Sequence, residues 1–338
     1  MNPRKNLRDQ IDTLIPSMMG NAERICIIDA PDHPNVGDQA ILLGELDFLK
    51  RNFPNSDVFF YDLKNYSELC DRYIENSSIL LIHGGGNFGD IWPHHHELRK
   101  TILSRFSHKK ILQMPQSISF GSESEMRDTA QLIRKQKNFT LLVRDQKALE
   151  FGRKNFDCNT VLCPDMAFAM NEIGRFEPSV EVFCLLRTDK EVSADHDLLQ
   201  QCLGDEGFSY IVDDWLKEPR SAIARMDRRI GRLTRYSPGL AYPARRLALH
   251  LRRRYALQRL NAGISFLSRG KFVLTDRLHA HVISCLLDIP NIALDSLDGK
   301  VSALYETWTR GRFKCEMASL PADVPGKIRD LNKAVMFS

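Results

Sequence analysis

What most constrains the fold of this chain is a succession of short, unbroken apolar runs separated by amphipathic stretches. "RICIID" (24–29), "DVFFY" (57–61), "SILLIH" (78–83), "KILQM" (110–114), "FTLLV" (139–143) and "TVLC" (160–163) are continuous rather than alternating, as in strands covered on both faces of a parallel sheet. Helical periodicity fills the gaps at about 38–51, 94–106, 122–136 and 145–154. Such alternation predicts a doubly wound α/β unit. The loop "NEIGRFEPS" (171–179) interrupts the pattern, and a second series follows. It comprises strands "EVFCLL" (181–186), "FSYIV" (208–212), "KFVLT" (271–275) and "NIAL" (291–294), with helices near 193–203, 278–288 and 300–309.

At 338 residues the chain has room for two domains of roughly 150 residues each. We expect an α/β fold with a Rossmann-like, doubly wound domain over 1–175 and another over 176–338, facing each other across a cleft in a GT-B-like arrangement. A hydrophobic content of 43% and a charged content of 27% suit a soluble globular protein. No apolar run approaches the roughly 20 residues that span a bilayer, and the N-terminus shows no secretory pattern. The expected location is the cytoplasm, with peripheral attachment at the inner face of the plasma membrane as a further reading. Eight cysteines, none in a C-x-x-C pair and most inside apolar runs, point to buried free thiols rather than disulfides or zinc.

The stretch "SSILLIHGGGNFGDIWPHHHELRK" (77–100) carries the first chemical signal. Gly84, Gly86 and Gly89 satisfy G-x-G-x-x-G, yet they follow the third strand rather than the first. The next strand, "KKILQMPQS", offers no acid for a ribose, so a dinucleotide site is disfavoured. The glycines instead bare backbone amides to a ligand, which makes Gly84, Gly85, Gly86 and Asn87 candidate binding residues. "PNVGDQAILLG" (34–44) repeats the logic, with Asp38 either a helix cap or a group facing the same crevice. Asp90 is a second candidate acid beside the glycine loop. Adjacent helical residues point about 100° apart, so His94, His95 and His96 cannot converge on one metal ion, but His95 can face the cleft.

In the second half, "KFVLTDRLHAHVISCLLDIP" sends a buried strand straight into a helix. Arg277 and His279 fall at the start of that helix, where unpaired amides and the macrodipole favour an anion. Arg277 offers a planar fork, and His279 a group that exchanges a proton near neutral pH. Arg187 ends "EVFCLLR", the matching strand of this half, and is a second anion-binding candidate.

Six segments in order, "NVGDQAILLG", "HGGGNFGDIWP", "MPQSISF", "LLVRDQKALEF", "LCPDMAF" and "VLTDRLHAHVISCLLDIP", resemble the polysaccharide pyruvyl transferase family. The resemblance implies a GT-B-like enzyme that moves pyruvate from phosphoenolpyruvate (PEP) onto two hydroxyls of a sugar. The product would be a cyclic ketal in a capsule, an exopolysaccharide or its precursor. It also implies that Arg187, Arg277 and His279 contact PEP, and that Lys300 is retained from the family's "LDNSYGK", here "LDSLDGK". Ser296 and Asp298 replace the Asn and Tyr of that run, a departure that bears on the acceptor more than on the reaction. His279 is then the expected general acid, and Asp38 or Asp90 orients or deprotonates the acceptor hydroxyl. No step calls for a metal or an organic cofactor. The rival readings are a GT-B glycosyltransferase using a nucleotide sugar and a non-catalytic glycan- or lipid-binding protein of the same fold.

The net charge of +4 conceals an arginine-rich helical segment over 220–260. Between Arg220 and Arg259 stand twelve arginines, no lysine and one acid, Asp227, a local charge of +11. Pro238 and Pro243 break it into two helices, and Arg225, Arg228, Arg232 and Arg235 recur at helical spacing in the first. The segment reads either as a solvated basic face or as a dock for an anionic membrane surface. Nucleic acid is disfavoured, because no reader motif or aromatic interleaving accompanies the arginines.

Overall fold

The computed structural model describes residues 2–187, 195–215 and 221–336. Two parallel sheets with flanking helices make up the protein. The first contains β1 (Arg24–Ile28), β2 (Asp57–Tyr61), β3 (Ile79–Ile82), β4 (Gly85–Phe88), β5 (Lys110–Ile118), β6 (Asn138–Val143) and β7 (Asn159–Leu162). Its order is β2-β1-β3-β5-β6-β7, with β4 a short strand paired to β5. The second contains β8 (Val180–Leu185), β9 (Tyr210–Asp213), β10 (Gly270–Thr275), β11 (Asn291–Ala293) and β12 (Cys315–Met317), in the order β12-β11-β10-β8-β9.

Counted along the chain, the long strands of the first sheet run 2-1-3-4-5-6 and those of the second 2-1-3-4-5. Both therefore reverse direction once, between β1 and β3 and between β8 and β10. In open parallel sheets a ligand crevice forms at such reversals, because the loops leaving the two strands diverge to opposite faces.

The strands form where expected because each buries a run of β-branched or aromatic side chains. Ile25, Cys26, Ile27 and Ile28 are wholly buried, as are Ile79, Leu80 and Ile82. One apolar cluster passes through both halves. It joins Leu42 and Leu43 of the helix Val36–Asn52 to Phe168, to Val282 and Ile283 of the helix Leu278–Leu286, and to Leu260 of the helix Arg245–Leu267. The helix Pro3–Met19 adds Leu7, Ile11, Ile15 and Met19 to the same cluster, tolerating Pro16 near its C-terminal end. Among the described residues no helix is long and apolar enough to cross a membrane. All eight cysteines are free thiols.

Arg220 lies outside the described residues, and the rest of the arginine segment divides in two. Arg245, Arg252, Arg253 and Arg259 turn inward and cross-link the halves. Arg245 pairs with Asp57 at 2.8 Å and Arg253 with Asp47 at 3.0 Å, and Arg259 donates to the carbonyls of Pro34 and Trp215. Arg252, 3% exposed, bonds Asp62 at 2.6 Å, Asp227 at 3.0 Å and the Pro31 carbonyl at 2.8 Å. These two carboxylates outweigh the burial that opposes its charge, and its pKa rises. Arg225, Arg228, Arg229 and Arg232 stay exposed on the helix Ala222–Tyr236.

Candidate active site

The loops leaving both reversal points line one cavity of about 260 Å³. Asp29, Pro31, His33 and Asn35 follow β1, and His83, Gly84, Gly86 and Asn87 follow β3. From the other half come Arg187 after β8, and Arg277, Leu278 and His279 after β10. Asp38, Trp92, His95, Arg144, Trp215 and Lys300 complete the wall.

Of the residues expected from sequence, His279, Asp38, Arg187, Arg277, Gly84, Gly86, Asn87, His95 and Lys300 line the cavity. Asp90 does not. Its carboxylate accepts from the backbone N–H of Gly121 (2.6 Å) and Ser122 (2.8 Å), pinning the loop before the helix Glu123–Arg134. The expected role for Asp90 at the acceptor is thereby corrected, because its carboxylate is committed to these two amides and it is not among the residues lining the cavity. Gly85 belongs to β4 and packs toward Ile41 and Asp38 behind the wall. Asp38 is not the helix cap: the Asn35 side chain accepts from Gly37 N–H at 2.9 Å, leaving Asp38 in the first turn, half-buried.

Four histidines line the cavity and each faces a carboxylate: His33 lies 3.6 Å from Asp38 and His83 2.9 Å from Glu45, while His279 and His95 form the two pairs with Asp165 and Asp29. His279 Nε2 lies 3.4 Å from Asp165 Oδ2, and the same carboxylate oxygen accepts from Arg144 Nη1 at 2.7 Å. Burial opposes ionisation of Asp165, but His279 and Arg144 outweigh it and hold the carboxyl well below its usual range. Arg144 Nε also bonds Ser117 Oγ at 2.9 Å, which fixes the guanidinium in the wall. A Cβ built on Gly86 would stand 3.3 Å from Arg144 Nη2 and 3.8 Å from Lys300 Nζ, so the two cations converge on a strip of bare backbone. Lys300 is ion-paired with Asp298.

The second pair is His95 Nδ1 with Asp29 Oδ1 at 2.7 Å. Asp29 is 2% exposed and sits at φ +64°, a strained conformation for a non-glycine residue. Its other oxygen accepts from Asn87 Nδ2 at 3.1 Å, while Asn87 Oδ1 accepts from Arg99 and Gln116. Asn87 is therefore committed to this network and positions Asp29. Burial disfavours the charged His95 ring, but the bond and charge of Asp29 outweigh it and raise its pKa above 6.5. Burial likewise pushes Asp38 up, yet His33, His279, His83 and Arg144 outweigh it and leave the carboxyl depressed. An anion held so firmly is a poor base.

Arg277 donates to Asp214 at 2.7 Å and is 5% exposed. Asp276 accepts from Arg187 N–H at 2.9 Å and contacts His196 Nε2 at 3.2 Å, so it ties β10 to β8 instead of capping a helix. No side chain caps the helix Leu278–Leu286, and its first two residues, Leu278 and His279, line the cavity, which puts a helix start with unpaired amides at the wall. Behind it, His281, Cys285 and Cys315 form a buried group. Both His281 ring nitrogens are engaged, by Asn291 at 2.6 Å and Thr309 at 2.8 Å, and burial drives the ring down to about 4. It is a neutral, packed histidine.

Asp29, His33, Arg144, Asp165 and Trp215 were not singled out from sequence. Arg144 and Asp165 stand directly after strand runs inside "LLVRDQKALEF" and "LCPDMAF", and that placement was the available signal.

The sequence pattern of the polysaccharide pyruvyl transferase family matches residues 35–298, which hold every cavity residue except Asp29, Pro31, His33 and Lys300. The chain belongs to this family. It is 28% identical to pyruvyl transferase 1 of Schizosaccharomyces pombe over 86% of this chain and 70% of that protein. It is also 28% identical to EpsO of Bacillus subtilis, provisionally named a pyruvyl transferase, over 90% of this chain and 91% of EpsO. A crystal structure of a functionally uncharacterised Klebsiella pneumoniae protein superposes with a TM-score of 0.58 over 93% of this chain and 99% of that one. At 19% identity that likeness establishes the fold alone.

Proposed function

We propose that the protein is a GT-B-like enzyme whose cavity binds PEP and transfers its pyruvyl group onto two hydroxyls of a sugar in a surface polysaccharide or its precursor. The observation that carries this reading is the convergence of Arg144, Arg187, Arg277, Lys300 and an uncapped helix start on one cavity that four histidines also line, His95 and His279 among them. PEP presents a carboxylate and a phosphate, and planar guanidinium groups and helix-end amides suit both. Members of the family act on polysaccharides, and the acceptor is accordingly a sugar.

The chemistry assigns the His279–Asp165 and His95–Asp29 pairs different tasks. His279 protonates C3 of the enol, making C2 electrophilic, and Asp165 supports the charged ring. A first sugar hydroxyl adds to C2 and gives up its proton. With Asp29 holding Nδ1–H, the His95 lone pair falls on Nε2, which accepts that proton. The C2–O bond to phosphate then breaks, and the second hydroxyl adds to close the ring. Two C–O bonds form, one breaks, one hydroxyl proton offsets that delivered to C3, and the other leaves on the phosphate. Asp38 serves as a fixed negative charge beside His33 and His279, and no further cofactor is needed for these steps.

The test is incubation with PEP and a sugar diol, reading phosphate release and a product heavier by one pyruvate less one water. His279→Ala should remain folded and release no phosphate. Turnover with a nucleotide sugar and not with PEP would replace this reading with glycosyl transfer.

A further inference from the structure

We propose that the exposed face of the helix Ala222–Tyr236, with the turn that follows it, docks the protein onto an anionic lipid bilayer. Residues exposed on this helix are Ala222, Arg225, Met226, Arg228, Arg229, Arg232, Leu233 and Tyr236. At 100° per residue they occupy one continuous side. Met226 and Leu233 form one edge, the arginines spread across the remainder, and Tyr236 projects among them. The opposite side packs inward, with Ala224 and Asp227 buried, and it holds the helix's one acid, Asp227, bonded to Arg252. No carboxylate of this helix thus shares the exposed face with the arginines.

The apolar residues are what separate this face from an ordinary solvated one. Met226 is 53% exposed, Leu233 44%, Tyr236 73% and Leu240, in the next turn, 75%. Tyr236 and Leu240 line a shallow groove together with Leu69, itself 60% exposed, with Arg72 and with Glu68, whose carboxylate is paired with Arg105 at 3.1 Å. Four large apolar side chains set among arginines on one helix and its following turn match the interface between lipid headgroups and acyl chains. There the guanidinium groups meet phosphate and the apolar tips enter the hydrocarbon margin. Charge complementarity selects an anionic surface, because the face carries four positive charges with no acid of its own helix beside them. Docking would also orient the molecule. Tyr236, Arg228, Arg232 and Arg235 border a second pocket that includes Asp32, the neighbour in sequence of Pro31 in the catalytic cavity. The inference does not depend on which reaction the cavity performs.

Flotation of the full chain with phosphatidylglycerol-containing vesicles and with pure phosphatidylcholine vesicles, at low and at high salt, tests it. Binding to the anionic vesicles alone, weakened by salt, is the expected result. Arg225→Glu/Arg229→Glu/Arg232→Glu should weaken it by at least a hundredfold, on the order of fivefold for each positive charge removed. Met226→Asp/Tyr236→Asp should weaken it by about tenfold or more through lost apolar contact. Both variants should keep the parent melting temperature and the parent rate with PEP and a water-soluble sugar acceptor. Absence of vesicle binding, equal binding to both lipids, or self-association of the chain abolished by the same substitutions would each overturn the proposal. Loss of catalysis with vesicle binding intact would leave it standing and strike the catalytic reading instead.

Discussion

Gly37 offers the sharpest separation between folding and catalysis. It is the second residue of the helix Val36–Asn52, where replacement by alanine should by itself favour the helix by up to about 1 kcal/mol. A methyl group there would stand 2.4 Å from His279 Nδ1, 2.6 Å from its Cγ and 2.7 Å from its Cβ. Ordinary contact between such atoms is about 3.5 Å, so the overlap is about 1 Å. Rotating the ring cannot relieve it, because the Cβ itself is too close, and the start of the helix Leu278–Leu286 must move. Misplacement of about 1 Å at a reacting group costs on the order of a hundredfold in rate, or about 2.7 kcal/mol of barrier. Gly37→Ala should therefore melt within a few degrees of the parent yet release phosphate from PEP roughly a hundredfold more slowly. Parent-like turnover would refute the assignment of His279, since a displaced bystander costs nothing.

Three further outcomes follow from the ionised groups. Asn accepts a positive φ, so Asp29→Asn should keep the backbone while removing the charge that raises His95. Because a base acts when neutral, the rise of kcat/KM with pH should move to lower pH and its plateau should fall; an unmoved limb would remove His95 from the role of base. His83 is buried against Glu45 at 2.9 Å, and although burial lowers its pKa, Glu45 outweighs that and raises it above 6.5. Its contribution to stability is complete below about pH 6.5 and is lost as pH rises through the folded value, so Glu45→Gln should flatten the decline in urea stability above neutrality. Arg252→Ala would strand Asp62 and Asp227 in the interior and should cost about 3–5 kcal/mol in chemical denaturation.

Strands that bury continuous apolar runs were legible in the sequence, whereas two short ones were not. β4 is glycine-rich and gains its place only by pairing with β5, and β12 spans three residues at the sheet edge. Pro16 similarly disguised the helix Pro3–Met19, whose four buried apolar side chains outweigh one proline near its end. At the site, loops following strands could be found in sequence because their position depends on local order. Asp29, Arg144 and Asp165 also follow strands, but their roles were not legible, since their meaning arises from partners on other elements: Asp29 from His95 in the helix Pro93–Arg105, and Asp165 from His279 in the second half. Asp90 misled for the converse reason. It is adjacent to the glycine loop in sequence, but its carboxylate is committed to the amides of Gly121 and Ser122. Among the three histidines the helical spacing sufficed, with His95 toward the cavity and His96 turned to Glu125.

A crystal structure of the protein with PEP bound tests the central claim most directly. The account predicts its carboxylate and phosphate within hydrogen-bond distance of cations drawn from Arg144, Arg187, Arg277 and Lys300 and of the first amides of the helix Leu278–Leu286, with C3 beside His279. PEP bound outside this cavity, or with C3 turned away from His279, would contradict it.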